Sequence, residues 1–239
     1  MICTVAEEYP ALIAGHTYLV EANVQALLPQ LESVRTCTDK WAFAQNMWAA
    51  GLPTPDTELG GGAGLTGPWV VKPRFGRGSR DVWMCRTRGQ LAAALTAVPE
   101  PLVQTRADGR EFTCDALMDA TGAMVGASAR WRLETRGGIS TKGETFENDE
   151  VTHLCEQVLK SVRLIGPANV QGFVDGDGGV VIHEVNPRFS GGLPLSLHAG
   201  ADLVEEYLRA IMGVPVRPER LIARPGVTML RYFCEVFAE

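Results

Sequence analysis

The chemistry-bearing residues of this chain concentrate in Val181-Ile182-His183-Glu184-Val185-Asn186-Pro187-Arg188-Phe189-Ser190-Gly191-Gly192. Glu184 and Asn186 stand two positions apart, so in an extended segment both side chains leave on one face. A carboxylate beside an amide oxygen is a hard donor set suited to Mg²⁺. Arg188 continues the alternation, and its planar fork can hold a phosphate or carboxylate next to such an ion. Pro187 and the glycines then end the strand. Read alone, the segment is equally a buried strand capped by a polar turn. Upstream residues add weight to the metal reading. Gln171 interrupts Val170-Gln171-Gly172-Phe173, and Asp175-Gly176-Asp177-Gly178 predicts a hairpin that would bring Gln171 and Glu184 face to face. The alternative for Gln171 is a glutamine at the edge of the core.

Gly76-Arg77-Gly78-Ser79 lies between the strand-like runs Trp69-Val70-Val71-Lys72-Pro73 and Asp81-Val82-Trp83-Met84-Cys85. A glycine turn of this kind exposes N–H groups that can cradle phosphate, and Lys72 adds a point charge beside it. Neither Walker A spacing nor a dinucleotide fingerprint is present. Lys40 opens a helix that Asp39 caps. Singly, Lys40 and Lys72 read as surface lysines, and they matter only if the fold brings both to one polyphosphate. Glu111 opens a strand, where it can accept ribose hydroxyls or serve as an edge carboxylate. Arg130, Arg132, Arg136 and Lys142 flank Gly137-Gly138. Without paired acids they read as an anion-binding lid over 128–142, with Arg136 the preferred carboxylate contact and Arg132 next. Pairing with Glu134, Glu144 and Glu147 is the alternative. His183, opposite Glu184 in the alternation, is expected to pack behind the strand.

Helical periodicity runs from Glu8 to Gln30 and again from Lys40 to Ala50. Gly60 through Gly67 reads as a boundary or hinge. A helix is expected at 87–97 and a strand at Leu102-Val103-Gln104. Glu111–Met118 and Ala123–Leu133 alternate as strands about a turn at Asp119–Gly122, and 134–148 reads as a long polar loop. Helices follow at 149–164 and 201–212, and a covering strand through Met229–Phe233 closes the chain.

A formal charge of −6 argues against a broad nucleic-acid surface. No apolar run is long enough for a membrane span, and no leader pattern opens the chain. Six scattered cysteines and four histidines in no ligand spacing exclude a disulfide framework and a zinc site as first readings, and point to a reducing, cytoplasmic location.

In this order the segments Asp39-Lys40-Trp41, Gly51-Leu52-Pro53-Thr54-Pro55, Val71-Lys72-Pro73, Gly76-Arg77-Gly78-Ser79, Gly109-Arg110-Glu111-Phe112, Asn169-Val170-Gln171 and Glu184-Val185-Asn186-Pro187-Arg188 resemble the ATP-grasp superfamily, in particular the carbamoyl-phosphate synthase large subunit. The resemblance covers about 38–213. It implies an α+β fold in which two α/β lobes clamp ATP: a remnant of an N-terminal Rossmann-like domain at 1–38, a connecting helix and linker at 39–59, a small lid lobe at 60–102 and a large lobe at 103–239. It implies an ATP-dependent ligase that activates a small carboxylate as an acyl phosphate for attack by an amine or related nucleophile, releasing ADP and phosphate. A nucleotide-binding module without turnover and a small-molecule phosphotransferase are the competing classes. By position, Lys40, Lys72, Gly76, Arg77, Gly78, Ser79, Val103, Gln104 and Glu111 would bind ATP. Gln171, Glu184 and Asn186 would hold one or two Mg²⁺ ions, replaceable by Mn²⁺. Arg188 and Lys72 would be catalytic, and Arg132, Arg136 and Arg188 would bind the acceptor. Two departures stand out. Relatives often carry an acid at the position of Gln171, and a Glu where this chain has Gln104-Thr105-Arg106. The family normally begins with a complete Rossmann-like domain that helps form the acceptor site, and the short N-terminal region here leaves three readings open: a homodimer partner completes that domain, a separate chain completes it, or it is lost together with full ligase activity. No nucleic-acid or membrane partner is expected.

Overall fold

The computed structural model describes residues 1–232 and 234–237. The periodic stretch after Glu8 forms two short helices, α1 (Tyr9–Ala14) and α2 (His16–Glu21), broken at Gly15, rather than one long one. Helices α3 (Leu31–Thr38) and α4 (Lys40–Ala49) follow. Asp39 separates them, its carboxylate accepting from the N–H groups of Trp41 and Ala42.

Strands β1 (Thr57–Leu59), β2 (Trp69–Pro73), β3 (Trp83–Cys85) and β4 (Pro101–Thr105) form an antiparallel sheet in the order β1-β4-β2-β3. Helix α5 (Arg88–Ala97) lies between β3 and β4 and is started by a Thr87–Gln90 capping box. Leu91 and Ala94 of α5 pack on Trp69, Val71 and Val103. The small sheet thus reaches from Thr57 to Thr105, wider on both sides than 60–102. The glycine-rich stretch from Gly60 to Gly67 connects β1 to β2 inside this lobe, and Leu65 there joins its core, so it is not a boundary between lobes.

The second sheet runs β10-β7-β6-β5-β8-β9. Its strands are β5 (Arg110–Met118), β6 (Met124–Arg136), β7 (Ile139–Phe146), β8 (Gly166–Val174), β9 (Val180–Asn186) and β10 (Thr228–Leu230). The expected loop at 134–148 is instead a long hairpin turning at Gly137-Gly138. Its outer residues are polar, which removes the apolar alternation a strand reading needs. The covering strand is β10, paired antiparallel to β7, and Phe233 of that expectation lies outside the described residues. Helix α6 (Asp149–Ser161) buries Val151, Leu154, Cys155, Val158 and Leu159. This helical stripe meets Phe112, Cys114, Val170 and Ile182 from one face of the sheet. Each such buried Val or Leu contributes about 1.5–3 kcal/mol. The other face carries α7 (Leu193–His198) and α8 (Leu203–Ile211) at one end, through Leu117, Leu193, Leu203 and Tyr207. The rest of that face is polar. Among the described residues no helix is long and apolar enough to cross a membrane, and the free cysteines are buried except Cys234.

Candidate active site

Directly opposed residues in an antiparallel pair share a face. Thr113 stands opposite Gln171 and Arg130, Asp115 opposite Asn169 and Ser128, Gln171 opposite Glu184, and Asn169 opposite Asn186. The large sheet therefore gathers these side chains on one polar surface, under the glycine loop of the small sheet. Gln171 pairs with Glu184 but Gly172 pairs with Ile182, so His183 is the extra residue of a β-bulge. The bulge turns His183 toward the cleft, where it lies 5.3 Å from the Phe173 ring, and not behind the strand as alternation predicts. Its Nε2 is buried without a hydrogen-bond partner. Burial, with Lys72, Arg132 and Lys40 nearby, pushes its pKa well below the usual range and keeps the ring neutral.

The cleft holds two adjoining chambers. One, of about 760 Å³, is lined by Lys40, Lys72, the glycine loop, Gln104, Glu111 and His183. The other, of about 690 Å³, is lined by Thr113, Arg130, Ser140, Asn169, Asn186, Arg188 and Ser190. Gln171, Glu184, Arg132 and the segment from Arg77 to Arg80 border both. Glu184 is the one acid among the described residues lining the second chamber, against five arginines, so that chamber favours an anion.

Lys40 and Lys72 line the same chamber. Lys40 Nζ donates to Gly76 O at 2.8 Å. Its helix is tied to the end of β2 by Arg74, whose Nε and NH2 reach Asp39 at 2.8 and 2.6 Å. Lys72 is 6% exposed. Burial lowers its pKa to about 8, with Glu184 opposing the shift and Lys40 adding to it. Burial also lowers Lys40, against Glu184 and Asp39. Two buried cations held this way favour an anion beside them. Gly76, Gly78 and Ser79 all adopt positive φ, and Arg77 reaches Glu7 at 3.2 Å.

Glu184, Gln171 and Asn186 offer a carboxylate and two amide oxygens. Gln171 Nε2 is used by Asn169 Oδ1 at 3.0 Å, which leaves Gln171 Oε1 for the cleft. Asn186 Oδ1 accepts from Arg188 at 3.4 Å, and Arg188 also donates to Phe189 O at 2.9 Å. Among the described residues no group of three or more His, Cys, Asp or Glu side chains could hold a metal. The donor set that remains is hard oxygen with a single charge, which fits Mg²⁺ bound together with a phosphate.

The four cations of the expected lid are not equivalent. Arg130 is 1% exposed and forks onto Asp115, Nε to Oδ2 at 3.0 Å and NH2 to Oδ1 at 3.2 Å. Arg132 Nε lies 2.9 Å from Glu111 Oε1, an ion pair that is not aligned as a hydrogen bond. Burial raises the Glu111 pKa and Arg132 opposes the shift. Lys142 pairs with Glu134 at the surface. Arg136 is exposed at the hairpin end and lines neither chamber, so it does not stand where an acceptor carboxylate was expected. Val103 is also off the site. It is fully buried in the small-sheet core, between β1 and β2 partners. Gln104 does border the first chamber and bonds Thr57 Oγ1 at 2.8 Å.

Sequence reading missed Asp115, Asn169 and Ser190. Asp115 carried a signal: a carboxylate within Phe112-Thr113-Cys114-Asp115-Ala116-Leu117 must be paired if that run is core. Ser190 Oγ accepts from Arg130 NH2 at 2.5 Å. A β-carbon on Gly192 would stand 2.0 Å from Arg130 NH1, so the turn after Arg188 closes directly onto this guanidinium.

The sequence pattern of a family described as "ATP-grasp in the biosynthetic pathway with Ter operon" matches residues 97–231. The uncharacterized protein y4rH of Sinorhizobium fredii is 27% identical over 77% of this chain and 44% of its own length. Carboxyaminoimidazole ribonucleotide synthase from Aspergillus clavatus superposes with a TM-score of 0.77 at 14% identity, over 92% of this chain and 62% of that one. Biotin carboxylase from Campylobacter jejuni gives 0.74 at 17% identity, over 91% and 55%. L-amino acid ligase from Bacillus licheniformis gives 0.69 at 21% identity, over 91% and 58%. The chain thus shares its fold with these enzymes and spans roughly half of each.

Proposed function

The chain belongs to the ATP-grasp family that matches it over more than half its length, and from that premise we propose an ATP-dependent ligase that activates a small carboxylate as an acyl phosphate for an amine or related nucleophile. One observation supports this most. Gln171 and Glu184 border both the chamber with Lys40 and Lys72 and the chamber with Arg188. Oxygen donors suited to a metal at this shared border support a reading in which a terminal phosphoryl group meets an acceptor there. The enzymes of like fold include one complexed with ATP and others with ADP, and one with MgADP and bicarbonate.

In this reading Lys40, Lys72 and the N–H groups of Gly76–Ser79 bind the triphosphate, and Glu111, steadied by Arg132, receives the ribose hydroxyls. Gln104 borders the base end. Mg²⁺ (or Mn²⁺) held by Glu184, Gln171 and Asn186 would offset the repulsion between phosphate and carboxylate. Arg188 orients the carboxylate and stabilises charge that develops during transfer. A carboxylate oxygen bonds to the γ-phosphorus as its bond to ADP breaks. The nucleophile then bonds to the carbonyl carbon, phosphate leaves, and the nucleophile loses a proton. Of the three arginines expected to bind the acceptor, Arg132 and Arg188 border the acceptor chamber and Arg136 does not. The nearer likeness to the carbamoyl-phosphate synthase large subunit belongs to the proposal.

Hydroxylamine traps acyl phosphates as hydroxamates. The chain with ATP, Mg²⁺ and a panel of small acids is expected to form a hydroxamate with one acid class, with matching ADP release. A stable phosphorylated product would favour a phosphotransferase. ATP binding without turnover across the panel would favour a binding module.

A further inference from the structure

We propose that Asp115 and Asn169 are positioning residues that fix the polarity of the Gln171 amide, so that its oxygen and not its nitrogen is presented beside Glu184. The inference rests on the metal-site reading above and adds two residues to it.

The argument is one of donors and acceptors. Asp115 is 1% exposed and receives Arg130 through both oxygens, together with Ser196 Oγ at 2.8 Å on Oδ2. An ionised carboxylate only accepts. The group that Asn169 turns toward it must therefore be the NH₂, and Nδ2 does lie 3.1 Å from Asp115 Oδ1. Asn169 Oδ1 then points the other way and can only accept. The group that Gln171 offers it must again be an NH₂, and Nε2 lies 3.0 Å away. One orientation of the second amide remains, with Oε1 toward the cleft. Reversing either amide would set two oxygens against each other. Asn169 is 2% exposed, so water cannot relieve that contact. A glutamine is a weaker ligand than an acid and has one useful face. The buried chain supplies the orientation that a symmetric carboxylate would not need.

That last point gives the test. ADP affinity is measured by calorimetry with and without Mn²⁺, and the ratio reports the metal. In the wild-type chain Mn²⁺ should tighten ADP binding. Asn169→Ala should reduce that enhancement by about 10-fold or more, the usual scale for losing a group that orients a ligand. In a Gln171→Glu background both carboxylate oxygens are equivalent. There Asn169→Ala should leave the enhancement within about twofold or improve it, because it removes an oxygen facing the new carboxylate. Equal losses in both backgrounds, or no loss in either, would overturn the proposal and leave the metal site standing. No Mn²⁺ effect in the wild-type chain would remove the metal site and this proposal together. Should Asn169→Ala fail to fold, ¹⁵N-labelled wild-type protein decides. The Gln171 side-chain NH₂ should exchange slowly with solvent, and exchange at the rate of a free amide would overturn the assignment.

Discussion

A β-carbon built on Gly138 would stand 2.8 Å from the Cα of Gly78. The tip of the β6–β7 hairpin thus touches the glycine loop of the small sheet backbone to backbone, at the border of the two chambers. Gly138 also has φ +77°, where an L side chain is strained by about 1–2 kcal/mol. Gly138→Ala is expected to part the two loops with little effect on the cores beneath. ATP should bind about 5–30-fold more weakly, the factor that such an energy represents. The segment 74–82 should become more sensitive to proteases. Unchanged ATP affinity together with unchanged cleavage would show that closure does not use this contact.

Lys72 predicts a proton linkage. Its folded pKa of about 8 lies below its ordinary 10.5. A lysine lowered on folding makes burial of its charge a cost that is fully present below pH 8 and is relieved as pH rises from 8 toward 10.5. Lys40 and Glu184 face it, and neutral His183 is adjacent. Bound phosphates should restore the charge, so ATP binding near pH 8.5 should take up a proton. Calorimetry in two buffers of different ionisation enthalpy measures that uptake, and Lys72→Met should reduce it to what Lys40, also lowered by burial, contributes.

Arg188 and Glu184 separate transition-state from ground-state roles. Arg188→Ala should lower turnover by about 10²–10³-fold, the scale for losing one charge-stabilising donor, while ATP Kd changes far less. Glu184→Ala should remove metal-dependent turnover and leave the melting temperature near wild type, because Glu184 faces the cleft and not the core. An Arg188→Ala enzyme with unchanged kcat would count against the role assigned to it.

How much of this was legible in the chain depends on the physics of each segment. Period-two alternation exposed β5, β8 and β9, and the turn residues fixed their hairpins. The facing of Gln171 and Glu184 followed from that register. The end of β6 from Glu134 and the whole of β7 were not legible, because Glu134, Arg136 and Lys142 are polar on a solvent-facing hairpin and read as loop. His183 was misjudged because a bulge breaks the alternation and no local residue announces one. Arg130 and Arg132 looked unpaired because their acids, Asp115 and Glu111, lie on the neighbouring strand. Only cross-strand register brings them together. The same holds for Asn169, whose partner Asp115 is 54 residues away.

The buried pair gives a stability prediction. Arg130 and Asp115 are almost wholly enclosed, with side chains 1% and 2% exposed. Arg130→Met keeps the bulk and removes the charge, leaving Asp115 with Ser196 and Asn169 as its remaining donors. Breaking a buried pair from one side costs about 3–5 kcal/mol. The pH dependence follows from Asp115. Burial alone would raise its pKa, but Arg130, with Ser190 and Ser196, holds it below the ordinary value. A carboxyl lowered on folding contributes stability above its unfolded pKa of about 3.9, and loses it as pH falls through the folded value. The melting temperatures of wild type and Arg130→Met should therefore be well separated at pH 7 and converge as the wild-type carboxyl protonates in strong acid. Melting curves at several pH values measure this. Coincident curves at pH 7 would mean that the pair orients the turn at Ser190 without stabilising the sheet.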